Sequence, residues 1–115
     1  MTTDCLFCKI VAGEIPSTEV YSDDHVYAFR DINPAAPSHI LVIPKKHLRD
    51  AKSAAPEDEA LMGKLLLRAN EIAQAEGLAD DGYRYVINTG GNGGQTDFHL
   101  HLHILGGRRL SWPPG

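Results

Sequence analysis

The sequence lacks what a nucleic-acid coat or a membrane protein needs. Lys and Arg number 11 against 15 Asp and Glu, a formal charge of −4. That sign opposes broad electrostatic attachment to phosphate backbones or anionic lipid. No apolar run approaches the roughly 20 residues needed to cross a bilayer. The opening MTTDCLFCKI has neither the basic region nor the long apolar stretch of a secretory signal, so the expected location is cytoplasmic. Cysteine is scarce as well. With two in a cytosolic setting, a disulfide framework is excluded as the organising device, and Cys5-x-x-Cys8 reads as half of a metal site or as a redox pair. Repeats, low-complexity stretches and Ser/Gly linkers are missing. A length of 115 residues leaves no room for two sizeable cores, so 1–115 reads as one domain with a short tail over 111–115.

What is present is a pattern of short strands around one helix. Extended segments are expected at Glu19–Ser22, Val26–Asp31 and Ile40–Pro44, where β-branched and aromatic residues lie between Pro, Asp and Asn. A helix is expected over Pro56–Glu76, with Leu61, Met62, Leu65, Leu66, Ala69, Ile72 and Ala73 at helical spacing. Pro56 suits its first turn, Glu57, Asp58 and Glu59 its positive end, and Gly77 its C′ position. Two more strands, Tyr83–Asn88 and Asp97–Leu105, flank a glycine-rich connection. That order predicts an α+β fold: a five-stranded antiparallel sheet with one main helix.

Three of the six histidines fall in Phe98-His99-Leu100-His101-Leu102-His103-Ile104-Leu105. On a strand this alternation sends three imidazoles to one face and Leu100, Leu102 and Ile104 to the other. Such a row is unusual for purely structural histidines, because each ring brings a donor and an acceptor that need partners. Near neutral pH an unprotonated imidazole is a nucleophile and its neighbour a proton donor, which suits phosphoryl or nucleotidyl transfer through a covalent histidine. The preceding Gly90-Gly91-Asn92-Gly93-Gly94 lets backbone amides approach an anion, with Gln95 and Thr96 set to touch a leaving group. His-x-His on a strand also binds zinc, so a hydrolytic metal site is a competing reading. Against a metal at all three imidazoles, Cys5 and Cys8 supply two thiolates, and a closed tetrahedron then needs only two nitrogens.

These motifs resemble the histidine triad superfamily, whose signature is His-x-His-x-His followed by two apolar residues. The likeness extends through Phe29-Arg30-Asp31-Ile32-Asn33-Pro34, Pro37-Ser38-His39, Ile43-Pro44-Lys45-Lys46-His47, Asn88 and the ending Leu105-Gly106-Gly107-Arg108-Arg109 with Trp112-Pro113-Pro114-Gly115. Together they are similar to the histidine triad nucleotide-binding branch. The resemblance implies a purine nucleoside phosphoramidase that hydrolyses the P–N bond of AMP or GMP amides, working as a homodimer with a continuous ten-stranded sheet. It makes His101 the nucleophile, with His103 and His39 flanking the phosphate. Phe7, Ile10, Ile15, Phe29 and Ile32 become the slot for the base, and Asp31 the acceptor for the ribose hydroxyls. Asn88, Gly94, Gln95 and Thr96 fall on the phosphate side, Thr96 where many relatives carry serine. Arg30 stands where some carry histidine. Zinc-containing relatives use positions matching Cys5, Cys8, His47 and His99, which implies a structural zinc and no catalytic cofactor. The implied partners are a purine nucleotide and a second copy of the chain. A dinucleoside polyphosphate hydrolase and a nucleotide-binding interaction protein with vestigial catalysis are the rival readings.

Overall fold

Alternating apolar side chains along the two central strands build a sheet that is buried on both faces. In the computed structural model, which describes residues 4–115, the strands are β1 (Glu19–Ser22), β2 (Val26–Arg30), β3 (Ser38–Pro44), β4 (Tyr83–Val86) and β5 (Leu102–Gly106). They form one sheet in the order β1-β2-β3-β5-β4. Every pairing is antiparallel. The period of two sorts the residues onto two cores. Val26, Ala28, Ile40, Val42, Leu102 and Ile104 pack with Leu65, Ala69, Ile72 and Ala73 of the long helix α2 (Glu59–Ala75). On the opposite face Tyr27, Phe29, Leu41 and Ile43 pack with Phe7 and Ile10 of a short helix α1 (Leu6–Val11). His39 and His103 share this second face by register.

The expected helix over Pro56–Glu76 is corrected at its start. Pro56–Asp58 forms a tight 3-10 turn, and α2 proper begins at Glu59. The reason is Asp58, which is more than a charge near the helix dipole. It is buried at 4% exposure, accepts from the Ala55 N–H at 2.9 Å and pairs with Lys46 Nζ at 2.6 Å. At the other end Gly77 takes φ +76°, the left-handed conformation that closes helices and that glycine adopts without a Cβ penalty.

The last strand is also shorter than expected. It starts at Leu102 rather than Asp97, so His99 and His101 precede it and only His103 lies within it. Pro44 explains the break, because it has no N–H for the ladder and its carbonyl is taken by the His99 ring at 2.8 Å. The apolar half of the alternation persists all the same. Leu100, at 1% exposure, joins Leu102 and Ile104 in the α2-side core, and its N–H donates to the Leu48 carbonyl at 2.7 Å. The expected strand at Tyr83–Asn88 ends at Val86, that at Val26–Asp31 ends at Arg30, and that at Ile40–Pro44 starts two residues earlier, at Ser38. No helix among the described residues is long and apolar enough to cross a membrane.

Candidate active site and metal centre

Three imidazoles meet on the α1 face of the sheet, and their backbone partners fix which nitrogen carries the proton. The Ala35 N–H donates to His39 Nδ1 at 3.0 Å, so Nδ1 is an acceptor and the proton of the neutral ring sits on Nε2. His39 Nε2 lies 2.9 Å from His103 Nδ1, which makes His103 Nδ1 an acceptor in turn. The His103 proton is left on Nε2, and that nitrogen is buried without a hydrogen-bond partner among the described residues. An orphaned buried donor is costly in isolation, and its position beside the other rings makes it available to an oxyanion.

His101 has the complementary polarity. Its Nδ1 lies 2.8 Å from the His99 carbonyl. A carbonyl only accepts, so Nδ1 carries the proton and Nε2 keeps its lone pair. The His101 and His103 ring centroids are 4.9 Å apart, and Phe7 meets the His101 ring edge-on at 5.2 Å and 88°. A basic nitrogen and an N–H donor thus stand side by side in one buried corner. Burial pushes the His103 imidazole down to about 4, helped by neighbouring His101 and His39 and opposed by Asp31. Burial also lowers His39, again against the pull of Asp31, whose Oδ2 is 3.5 Å from His39 Nε2.

Beside these rings lies a cavity of about 300 Å³ whose wall includes Phe7, Ile10, Ile15, Phe29, Asp31 and Ile32. All six were expected from the sequence, and the volume is at the lower end of small-molecule sites. Arg30, singled out where some relatives carry histidine, lines it too, and Leu6, Leu41 and Asp97 also line it and were missed. Leu6 and Leu41 are adjacent to residues already singled out, so the helix and strand periods were the available signal. For Asp97 only its place just before the triad pointed this way.

The glycine connection needs its glycines where it turns. Gly90 and Gly94 have φ of +74° and +84°, and a Cβ on Gly93 would lie 2.6 Å from the Thr89 carbonyl oxygen. Gln95, expected to touch the leaving group, braces this loop instead. Its Oε1 accepts from the Gly90 N–H at 2.9 Å, and its Nε2 donates to the carbonyls of Arg49 and Asp97, each at 3.0 Å. Both amide hydrogens are therefore engaged. Thr96 is exposed and Asn88 half-buried.

Cys5, Cys8, His47 and His99 converge in a separate cluster with all four ligand atoms within 4.8 Å of one another. Cys5 Sγ and Cys8 Sγ lie 3.3 and 3.5 Å from His99 Nδ1. His47 Nδ1 is 3.4 Å from Cys8 Sγ and 3.2 Å from His99 Nδ1. Tetrahedral zinc, with Zn–S of about 2.3 Å and Zn–N of about 2.0–2.1 Å, spaces two nitrogens about 3.3 Å, a sulfur and a nitrogen about 3.5 Å and two sulfurs about 3.8 Å apart. The donor set fits that ion. Two further features fit as well: His99 Nε2–H donates to Pro44, leaving Nδ1 free to ligate, and the Cys8 N–H donates to Cys5 Sγ at 3.3 Å. Such outer bonds orient ligands and stabilise thiolate.

The histidine constellation and its sheet match a known family. The model of the HIT domain matches residues 12–110. The chain belongs to the HIT domain family. An uncharacterized HIT-like protein of Synechocystis sp. is 56% identical over the full length of both chains, and Protein HitA of Neisseria gonorrhoeae is 54% identical over 90% of this chain and 95% of its own. The crystal structure of a HIT family hydrolase from Legionella pneumophila superposes with a TM-score of 0.95 at 53% identity, covering 96% of this chain and 99% of that one. A histidine triad nucleotide-binding protein from Candida albicans gives 0.81 at 29% identity, over 95% and 82%. The five-stranded antiparallel sheet with its single long helix is thus the HIT fold.

Proposed function

We propose that this HIT protein is a nucleotide hydrolase of the purine nucleoside phosphoramidase type, cleaving the P–N bond of AMP or GMP amides. The observation that carries the reading is the His101 tautomer. With Nδ1–H held by the His99 carbonyl, Nε2 is a directed nucleophile next to an apolar slot sized for a flat base. Attack by Nε2 on phosphorus breaks the P–N bond and gives a nucleotidyl-His101. The departing nitrogen takes one proton from solvent as the P–N bond breaks, while the His103 Nε2–H hydrogen-bonds the phosphoryl oxygens. Water then attacks phosphorus and returns one proton to solvent, the bond from phosphorus to His101 Nε2 breaks, and the neutral imidazole and the nucleoside monophosphate are released. Asp31 accepts from the ribose hydroxyls, Thr96 and Asn88 serve the phosphate side with the glycine loop around Gly94, and Gln95 holds that loop in place.

Zinc bound by Cys5, Cys8, His47 and His99 would tie α1 to the segment before β5. Four protein ligands close the tetrahedron, so a metal there supplies structure and has no open position for water. We read the working unit as a homodimer. Turnover of an AMP amide, an acyl adenylate and a diadenosine polyphosphate by the purified protein tests the assignment. The amide is expected to be the best substrate, and rapid quenching should trap a nucleotide on histidine. Preference for the diadenosine polyphosphate would reassign the enzyme to the dinucleotide hydrolases.

A further inference from the structure

Among the described residues the cavity wall carries three charged side chains, and two of them already have polar partners. Arg30 Nη2 is bound to both carboxylate oxygens of Glu76, at 2.9 and 3.1 Å. Asp31 accepts from the Asn33 N–H through Oδ1 at 2.8 Å and faces His39 through Oδ2 at 3.5 Å. Asp97 differs. Its backbone carbonyl takes the Gln95 amide, but its carboxylate has no hydrogen bond or ion pair among the described residues. The residue is half-buried and lines the same cavity as Leu6, Phe7, Ile10 and Phe29. The backbone bond from Gln95 also fixes where Asp97 stands.

A carboxylate is acceptor-only, with two oxygens able to receive two parallel N–H bonds. Resting on the reading that this slot holds a purine, we propose that Asp97 is a specificity residue that selects guanine. Guanine presents N1–H and the 2-amino group side by side, a donor pair that matches a carboxylate in two-point contact. Adenine offers only its 6-amino group on that edge and turns the N1 lone pair toward the carboxylate, where it is repelled. Hypoxanthine keeps N1–H and loses the second donor, so it ranks between the two. A site built to satisfy a buried polar group discriminates against a ligand that leaves it unpaired.

Calorimetric affinities of the full-length protein for GMP, IMP and AMP test this, with Asp97→Asn and Asp97→Val alongside. Wild type is expected to bind GMP about tenfold or more tightly than AMP, with IMP between them. Asp97→Asn should remove the guanine preference mainly by tightening AMP, because an amide pairs with adenine through the 6-amino group and N1 and with guanine through N1–H and O6. Asp97→Val should bring the ratio close to one. If wild type binds AMP and GMP equally, or if the variants weaken both by the same factor, base selection by Asp97 is overturned and the nucleotide reading survives. If no purine monophosphate binds the wild-type protein, the nucleotide reading falls and the inference with it.

Discussion

His39 Nε2 lies 2.9 Å from His103 Nδ1, and this single bond joins β3 and β5 in a directional hydrogen-bond chain. It begins at the Ala35 N–H, runs through two neutral rings and ends at His103 Nε2, which has no hydrogen-bond partner among the described residues. His101, held by a carbonyl rather than by an N–H, has the opposite polarity. One corner of the sheet therefore presents a lone pair and a proton together. The difference originates in backbone geometry, since the three side chains are chemically identical.

Replacing His101 by Ala removes the nucleophile and leaves the donor relay. Turnover is expected to fall by about a thousandfold or more, while AMP affinity and melting temperature stay close to wild type. Steady-state kinetics beside calorimetry checks this, and activity near wild type would remove His101 from the mechanism.

The His103 pKa gives a pH signature. In the fold it is pushed down to about 4, whereas a histidine in the unfolded chain titrates near 6.5. Above pH 6.5 both states are neutral and the residue contributes no slope. Between about 6.5 and 4 the unfolded chain holds the extra proton, so stability falls as pH falls through that window. His39, also lowered, acts in the same direction. Acid would also protonate the Cys5, Cys8, His47 and His99 donors, so the useful comparison is with His103→Asn, which keeps all four of them. Melting temperatures between pH 7 and 4.5 should decline more steeply for wild type than for the variant. Parallel curves would show that His103 is not held neutral.

Removing either thiolate tests the metal assignment. Cys5 is the N-cap of α1, with its Sγ accepting from the Cys8 N–H, and α1 supplies Phe7 and Ile10 to the second core. Metal binding is coupled to folding in such sites. Cys5→Ala or Cys8→Ala should abolish stoichiometric zinc and lower the melting temperature by several degrees, while the folded fraction retains substantial turnover. Metal analysis and kinetics on the same untagged samples decide it. Wild-type protein without zinc would disprove the site, and loss of chemistry in a folded, zinc-free variant would restore a catalytic role for the metal.

Much of this was legible in the sequence because it depends on period and spacing. The two-residue alternation over 99–105 correctly sent Leu100, Leu102 and Ile104 to one core, and the α2 face followed from its helical repeat. Cys5 and Cys8 announced a cluster three residues apart. What could not be read is what depends on a third partner. Pro44 ends the ladder with its missing N–H while its carbonyl captures His99, and only that contact explains why β5 starts late. Asp58 looked like a helix-dipole charge until Lys46 and the Ala55 N–H were seen on it. Gln95 looked like a ligand contact, but its amide is used up by carbonyls 46 and 2 residues away. The histidine tautomers belong to the same class, set by the main-chain groups of Ala35 and His99.

The tail yields the last prediction. Trp112 is 79% exposed, and Tyr83, Ile87, Leu66 and Leu67 are also exposed apolar residues. Tyr83 belongs to β4, the sheet edge next to β5, and Leu66 and Leu67 to α2. An edge strand with its ladder open and apolar side chains beside it is a surface that a second copy can cover. The tail is tethered to that edge, since Arg84 Nη2 donates to the Ser111 carbonyl at 2.8 Å. In a homodimer joined through β4, the tether would direct Trp112 toward the partner's active site, where an indole can contact the amine leaving group. Light scattering should therefore give twice the 12.6 kDa chain mass. Deleting residues 111–115 should reorder a panel of amine leaving groups by about tenfold in relative kcat/KM, while the melting temperature shifts by only a few degrees. A monomer in solution, or an unchanged ranking in a folded dimer, would separate the tail from specificity.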